Sequence, residues 1–325
     1  MHKTLIALAA LIASMAITSA ASGATTPVRA LKAHTVTASG IWAGQADART
    51  VAFRAPWAPG ATVLRADDGT VATAPAPSGC SATAAGGGRL AYWCGADDQA
   101  GAHHLAVTAL TGAEVVRLDA PSRLEGQGEA TQPKQVGAQW IVRRNDFMHE
   151  PERYEAVNWR TGATQTVIPS GEQILDPDLP GLLTPLCAPV HVISAVDEGD
   201  TGGPLVPVAA RGRWVLQGSD SQNSVRPALY RCGSSKRVLL PDGFNHPVLG
   251  DGWVGQEDAV QDVPRVKLFR LADRRLFTVT GLPKLGVADN GPEPALTFTR
   301  DRVYVHATSQ DAVDAPIATV QLPKH

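Results

Sequence analysis

Two stretches, RGRWVLQGSDSQNSVRPALYRCG at 211–233 and GDGWVGQEDAVQDVPRVKLFRLADR at 250–274, decide how this chain is read. Each has a short apolar segment anchored by Trp, a polar gap, and a second apolar segment ending in a Gly or Asp turn. The same form recurs along the chain, with anchors at Trp42, Leu90, Trp140, Trp214, Trp253 and Val303. The partner segments are 51–60, 104–112, 154–162, 228–233, 266–274 and 316–322. Alternating or short apolar runs bounded by Gly, Pro and Asp are the pattern of strands, and no long stretch carries helical periodicity. A unit of this size cannot bury its own apolar face, so successive units must stack.

The anchors are 48, 50, 74, 39 and 50 residues apart, centred on the length of a four-stranded propeller blade. Further strands follow each turn, at 61–66, 113–118, 163–168, 237–241 and 275–283, and candidates such as 134–139 precede the anchors. The expected fold is all-β, a six-bladed β-propeller of four-stranded blades, with seven blades as the alternative. The sixth unit has no residues left for an outermost strand, whereas 27–37 precedes the first anchor without a blade of its own. These complementary deficits predict that 27–37 pairs with 316–322 and closes the ring, removing an open sheet edge. The long spacing places an insertion around 190–210, with LLTPLCAPV at 182–190 as the fourth unit's inner strand.

Anchor strands such as RWVL and GWVG, followed by LYR or LFR strands and a Gly or Asp turn, resemble the bacterial TolB-like and WD40-like β-propeller proteins. The resemblance covers nearly all of the chain after its first residues. It departs from true WD40 repeats, since Gly-His and Trp-Asp pairs do not recur at their places. It implies the fold and little about activity, because propellers host binding modules and enzymes alike.

Lys3, an apolar run at 5–17 and the small residues SAASGA at 19–24 form an export signal, with cleavage after Ala24 or, as a near alternative, Ala21. Residues 1–24 are then a signal peptide and 25–325 one domain. Such a protein is secreted and extracellular, with no membrane attachment after cleavage. The formal charge of −2 argues against a nucleic-acid partner. A monomer is expected. Four Cys in an oxidising compartment predict two disulfides. Cys80 and Cys94 flank the Gly-rich reversal SATAAGGG and pair, which leaves Cys187 with Cys232.

GDTGGP at 199–204 is similar to the nucleophile segment of chymotrypsin-like proteases, with Thr201 in the nucleophile position. No His segment of that machinery lies upstream, and a six-unit repeat is incompatible with two barrels. Polarity gathers instead in the loops between anchor and partner strands, at 95–104, 143–153, 217–226, 256–265 and 307–316, which a propeller presents on one face. The richest combines Arg143, Arg144, Asp146, His149, Glu150 and Arg153. With Asp176 and Asp178 from a crossover, these are the candidate binding residues. No catalytic or metal-ligating residue is assigned and no cofactor is expected; Ca²⁺ is the ion that such acidic loops would take. Turn chemistry is the competing role for each Asp, and His103-His104 cannot easily serve one metal because neighbours on a strand face opposite ways. The function expected is non-catalytic binding of a protein or glycan through the loop face. The alternative is an extracellular hydrolase, lactonase or lyase with its site at the mouth of the central channel.

Overall fold

The computed structural model describes residues 28–39, 42–54, 59–65, 69–95, 103–119, 132–145, 153–169, 173–185, 206–218, 227–234, 237–260, 263–285, 294–308 and 315–324. Every helix or strand among the described residues is a strand. The chain opens with β1 (Arg29–Ser39), then forms a first four-stranded sheet of β2 (Trp42–Asp47), β3 (Thr50–Arg54), β4 (Ala61–Arg65) and β5 (Val71–Ala74). The second sheet holds β6 (Cys80–Gly86), β7 (Arg89–Cys94), β8 (His104–Ala109) and β9 (Glu114–Asp119). The third holds β10 (Pro133–Val136), β11 (Trp140–Asn145), β12 (Arg153–Asn158) and β13 (Thr164–Val167). A hairpin of β14 (Gln173–Leu175) and β15 (Leu183–Pro185) follows. The fourth sheet has β16 (Val206–Arg211), β17 (Trp214–Gly218), β18 (Ala228–Arg231) and β19 (Arg237–Leu239). The remaining strands are β20 (Val248–Leu249), β21 (Trp253–Val260), β22 (Val263–Arg270), β23 (Arg275–Thr280), β24 (Pro294–Phe298), β25 (Arg302–Ala307) and β26 (Pro316–Gln321).

These last strands join β1 in one eight-stranded sheet ordered β20-β21-β22-β23-β1-β26-β25-β24. β1 therefore lies between a fifth unit, β20–β23, and a sixth, β24–β26. Arg29–Lys32 run parallel to Phe277–Thr280, and Ala33, His34 and Thr35 then pair antiparallel with Val320, Thr319 and Ala318. The N-terminal strand thus fills the outermost place beside 316–322, as the complementary deficits predicted.

Burial within a unit depends on strand order. The first strand β6 alternates between buried and half-buried positions, the second strand β7 is buried from Leu90 to Cys94, and the fourth strand β9 has no buried residue. That gradient is what a sheet with one edge inward and one edge outward produces. At the tight end, Gly87 and Gly88 turn β6 into β7 with φ of 54° and 70°, a conformation that favours Gly. Gly86 serves closeness: a Cβ there would meet the Val136 carbonyl oxygen of β10 at 2.0 Å.

Apolar clusters link the units in a circuit. Ala52 and Val63 pack on Leu90 and Tyr92; Ala91 and Leu105 on Ile141 and Val157. Trp140 and Val142 pack on Leu182 and Leu175, and Ile174 reaches Val215 and Tyr230, so the β14–β15 hairpin is wedged between the third and fourth units. Leu216 packs on Val254, Trp253 and Leu268 on Val303 and Val305, and Tyr304 and Ile317 on Val51 and Phe53, which returns the circuit to the first sheet.

Three expectations are corrected. Trp42 lies on the first strand of its sheet; the second strand is β3, whose Thr50–Phe53 are all buried, and β4 is its partner. Residues 183–185 pair with β14, and the first strand of the fourth sheet is Val206–Arg211, at the tail of the stretch read as an insertion. The polar stretch 256–265 is mostly strand: Gln256↔Lys267, Glu257↔Val266 and Asp258↔Arg265 continue the β21–β22 ladder to Val260↔Val263. Polar residues in such a run look like a loop in sequence, yet here they lie on a paired ladder, and Asp258 opposite Arg265 is a favourable cross-strand charge pair.

Candidate functional site

The second strands share a register. Thr50, Arg89, Trp140, Trp214, Trp253 and Arg302 each lie opposite the last residue of the third strand, namely Arg65, Ala109, Asn158, Arg231, Arg270 and Gln321. Three residues further along stand Phe53, Tyr92, Arg143, Gln217, Gln256 and Val305, and at the next step Arg54, Trp93, Arg144, Gly218, Glu257 and His306. Period-two alternation sends the first set to one face and the second to the other. Members of the two sets meet between units: the Arg143 guanidinium lies 5.8 Å from the Trp93 ring centroid, and the Phe53 and His306 rings are 6.0 Å apart. A belt rich in polar side chains therefore crosses the unit interfaces where the second strands lead into the loops expected to carry function.

The polar members of this belt hold the frame. Arg143 and Glu155, opposite each other on β11 and β12, are both only 1% exposed, with Nε and Oε2 3.7 Å apart. Burial pulls the Arg143 pKa down, and the Glu155 charge opposes that shift. Such a pair holds its place because removing one partner strands a buried charge. Gln256 Oε1 accepts from the His246 backbone N–H at 2.9 Å, and its Nε2 donates to the Glu257 carbonyl at 2.7 Å. His306 Nδ1 lies 3.0 Å from the Ala307 carbonyl, which can only accept, and Nε2 lies 3.2 Å from Thr297 Oγ1. Arg54 donates to the Ala82 carbonyl at 2.9 Å, tying the first sheet to the second, and burial lowers its pKa. Glu257 is different. Burial raises its pKa to about 7, and among the described residues its enclosed Oε2 has no hydrogen-bond partner.

Of the candidate binding residues, Arg143 is buried, Arg144 is exposed, and Arg153 is half-buried opposite Asn145. Asp146, His149 and Glu150 lie outside the described residues, as do Thr201 and Cys187. Asp178 Oδ1 accepts from the Ala138 backbone N–H at 2.6 Å, and Asp176 Oδ1 from the Asp178 N–H at 3.0 Å. Both carboxylates thus cap backbone, the Asp178 contact bracing the wedge hairpin's turn against the third sheet. Among the described residues no group of three His, Cys, Asp or Glu is placed to hold a metal. His103 stacks on Trp93 at 4.4 Å, while His104 Nδ1 sits 2.5 Å from Asp119. Cys80 and Cys94 form a disulfide across β6 and β7, and Cys232 is also disulfide-bonded.

At the opposite end, where first strands turn into second strands, charges converge that sequence reading missed. The Arg211 guanidinium of β16 donates to Gln45 Oε1 of β2, joining the fourth sheet to the first across the middle of the circuit. Asp251 raises the Arg211 pKa against the larger lowering caused by burial. Beside Asp251 opens a cavity of about 490 Å³ lined by Arg49, Trp253, Arg300, Asp301, Leu322, Pro323 and Lys324 as well. The signal was present in the short turns before the second strands: DAR at 47–49, RGR at 211–213, GDG at 250–252 and RDR at 300–302. Each alone reads as an ordinary solvated turn, and only the circuit brings them together.

No family model matches the chain, and comparison with curated proteins finds no match. Among solved structures, the β-propeller domain of Cps50 (Swd1) from Myceliophteria thermophila superposes with a TM-score of 0.51 at 8% identity, over 90% of this chain and 100% of that one. The fold is a β-propeller. The β-propeller domain of the Trilobed protease from Pyrococcus furiosus gives a TM-score of 0.45 at 8% identity, covering 90% and 97%. TolB from Acinetobacter baumannii gives 0.35 at 11%, covering 85% and 64%. At these identities the likeness is one of fold alone.

Proposed function

We propose that this propeller is a secreted, non-catalytic scaffold that binds a protein or glycan through the face on which its second-to-third-strand loops emerge. Six four-stranded blades form its ring, the β14–β15 hairpin is a wedge between the third and fourth, and residues 1–24 direct export. The observation that carries the reading is the belt just beneath that face. Arg54, Arg143, Gln256 and His306 each make at least one internal contact, to the Ala82 carbonyl, Glu155, the His246 and Glu257 backbone and the Ala307 carbonyl, which stiffens the platform beneath the loops. A rigid frame with variable loops is how such scaffolds present a binding surface.

One observation favours the hydrolase or lyase reading. Glu257 holds a proton near neutral pH at the same level of the ring, as a general acid would. The two readings separate in one experiment. The purified protein is applied to immobilised polysaccharides and extracellular proteins, and in parallel to ester, lactone and glycoside substrates. The triple variant Asp146→Ala, His149→Ala, Glu150→Ala should lose at least about tenfold in retention on its partner with an unchanged melting temperature. Turnover that disappears in Glu257→Gln would overturn the binding reading in favour of the enzyme.

A further inference from the structure

We infer that the cavity on the opposite face, between the first, fifth and sixth units, is a second ligand site, and that it takes an acidic saccharide. Three cations, Arg49, Arg300 and Lys324, line it against two carboxylates, Asp251 and Asp301, so the lining carries one net positive charge. They come from three separate turns and the segment after β26, and that frame is prebuilt. The Arg300 N–H donates to the Ala48 carbonyl at 3.0 Å, locking the sixth unit's turn on the first unit's. The Asp301 carbonyl accepts from the Leu322 N–H at 2.9 Å and from Gln321 Nε2 at 3.0 Å, which fixes the chain leading to Lys324.

The side chain of Asp301 is unlike its backbone. Asp301 lines the cavity, and among the described residues its Oδ1 has no hydrogen-bond partner, so that oxygen is not committed to the surrounding protein. A bare inorganic anion would answer the cations but leave Asp301 opposed by like charge. A ligand carrying one carboxylate together with hydroxyl donors answers both: the carboxylate meets the guanidinium and ammonium groups, and the hydroxyls donate to Asp301 and Asp251. Leu322 and Pro323 add an apolar edge on which the C–H face of a sugar ring can lie. About 490 Å³ falls within the size of ordinary small-molecule sites and is ample for two sugar rings. This site lies apart from the loop face and shares no residue with it.

Calorimetric titration tests the assignment with a glucuronic-acid disaccharide, cellobiose as its neutral counterpart, and inorganic phosphate. The disaccharide acid should bind saturably, with cellobiose and phosphate at least about tenfold weaker. Arg300→Ala, at an exposed turn position, should weaken the acid at least about tenfold without moving the melting temperature. The near-isosteric Asp301→Asn should also weaken it, by several-fold, because an amide oxygen is a poorer acceptor than a carboxylate. The loop-face triple variant should leave this titration unchanged, so failure here and failure of the proposed function are distinguishable. No saturable binding of the acid, equal binding of cellobiose or phosphate, or an Arg300→Ala protein that binds as well as the parent would overturn the inference.

Discussion

Glu257 shows what the ring does to a single side chain. In the unfolded chain its carboxyl ionises near the ordinary value of 4.5, whereas burial in the folded chain raises that value to about 7. Between those values the unfolded state has released a proton that the folded state keeps, so stability falls as pH rises through the window and the loss is complete above about 7. Allowing for the part of the group that reaches solvent, the cost is on the order of 2 kcal/mol. Glu257→Gln should therefore raise the melting temperature by roughly 5 °C at pH 8 and change it little at pH 4. Thermal melts across that range decide it; a gain of the same size at both ends would show that the carboxylate charge is not the cause. None of this could be read from QEDAVQDVPR, where Glu257 is one polar residue among several. The shift arises because β21 continues past Gln256 and carries the side chain into the ring.

At the scale of the strand, sequence was most informative where one feature needed only its neighbours. The Gly-rich reversal between Cys80 and Cys94 specified a hairpin, and the register sets the two cysteines opposite each other. The bond closes a short loop, and by the chain-entropy argument it contributes about 3 kcal/mol. Replacing both with Ser should lower stability by that order in a urea melt and leave the ring folded; an unchanged midpoint would mean that β6 and β7 are already held by their ladder. Legibility failed where two strands shared one anchor. Trp42 and the run TVAF at 50–53 are both apolar and only a short turn apart, and the aromatic residue looked like the buried centre. The buried run is Thr50–Phe53, because a second strand has sheet on both edges and blades on both faces. The wedge hairpin was hidden for a related reason. Leu175 and Leu183 flank a loop of Pro, Gly and Asp, and only the gap between the third and fourth units gives such a short pair something to pack on.

The closed circuit is the property of the whole molecule that was clearest in advance, because it follows from counting strands at both ends of the chain. The turn-side cavity was not visible at all, since its charges come from turns some 250 residues apart that meet only once the ring closes. Closure rests on β1, which bridges two units rather than completing one. Arg29–Lys32 extend the fifth unit through β23, while Ala33–Ser39 fill the sixth through β26. Ala33 sits in the same core as Phe277 and Val320, with Leu31 packed against it, so both halves of β1 share one apolar cluster. Losing the strand exposes the edges of β23 and β26 together and opens that cluster to water. Deletion through His34 removes the whole parallel ladder and the start of the antiparallel one. At about 1 kcal/mol for each ladder hydrogen bond lost, the cost is roughly 5 kcal/mol, or about 10 °C in melting temperature for a chain of this size. Deletion of residues 25–26 alone should have no measurable effect, since the ladder begins at Arg29. The first deletion should also abolish the arrangement of Arg49 and Arg300 across the first and sixth units, so disaccharide binding should fall with the melting temperature. A truncated protein that melted where the parent does would show that the ring is held by its blade interfaces and that β1 merely decorates its rim.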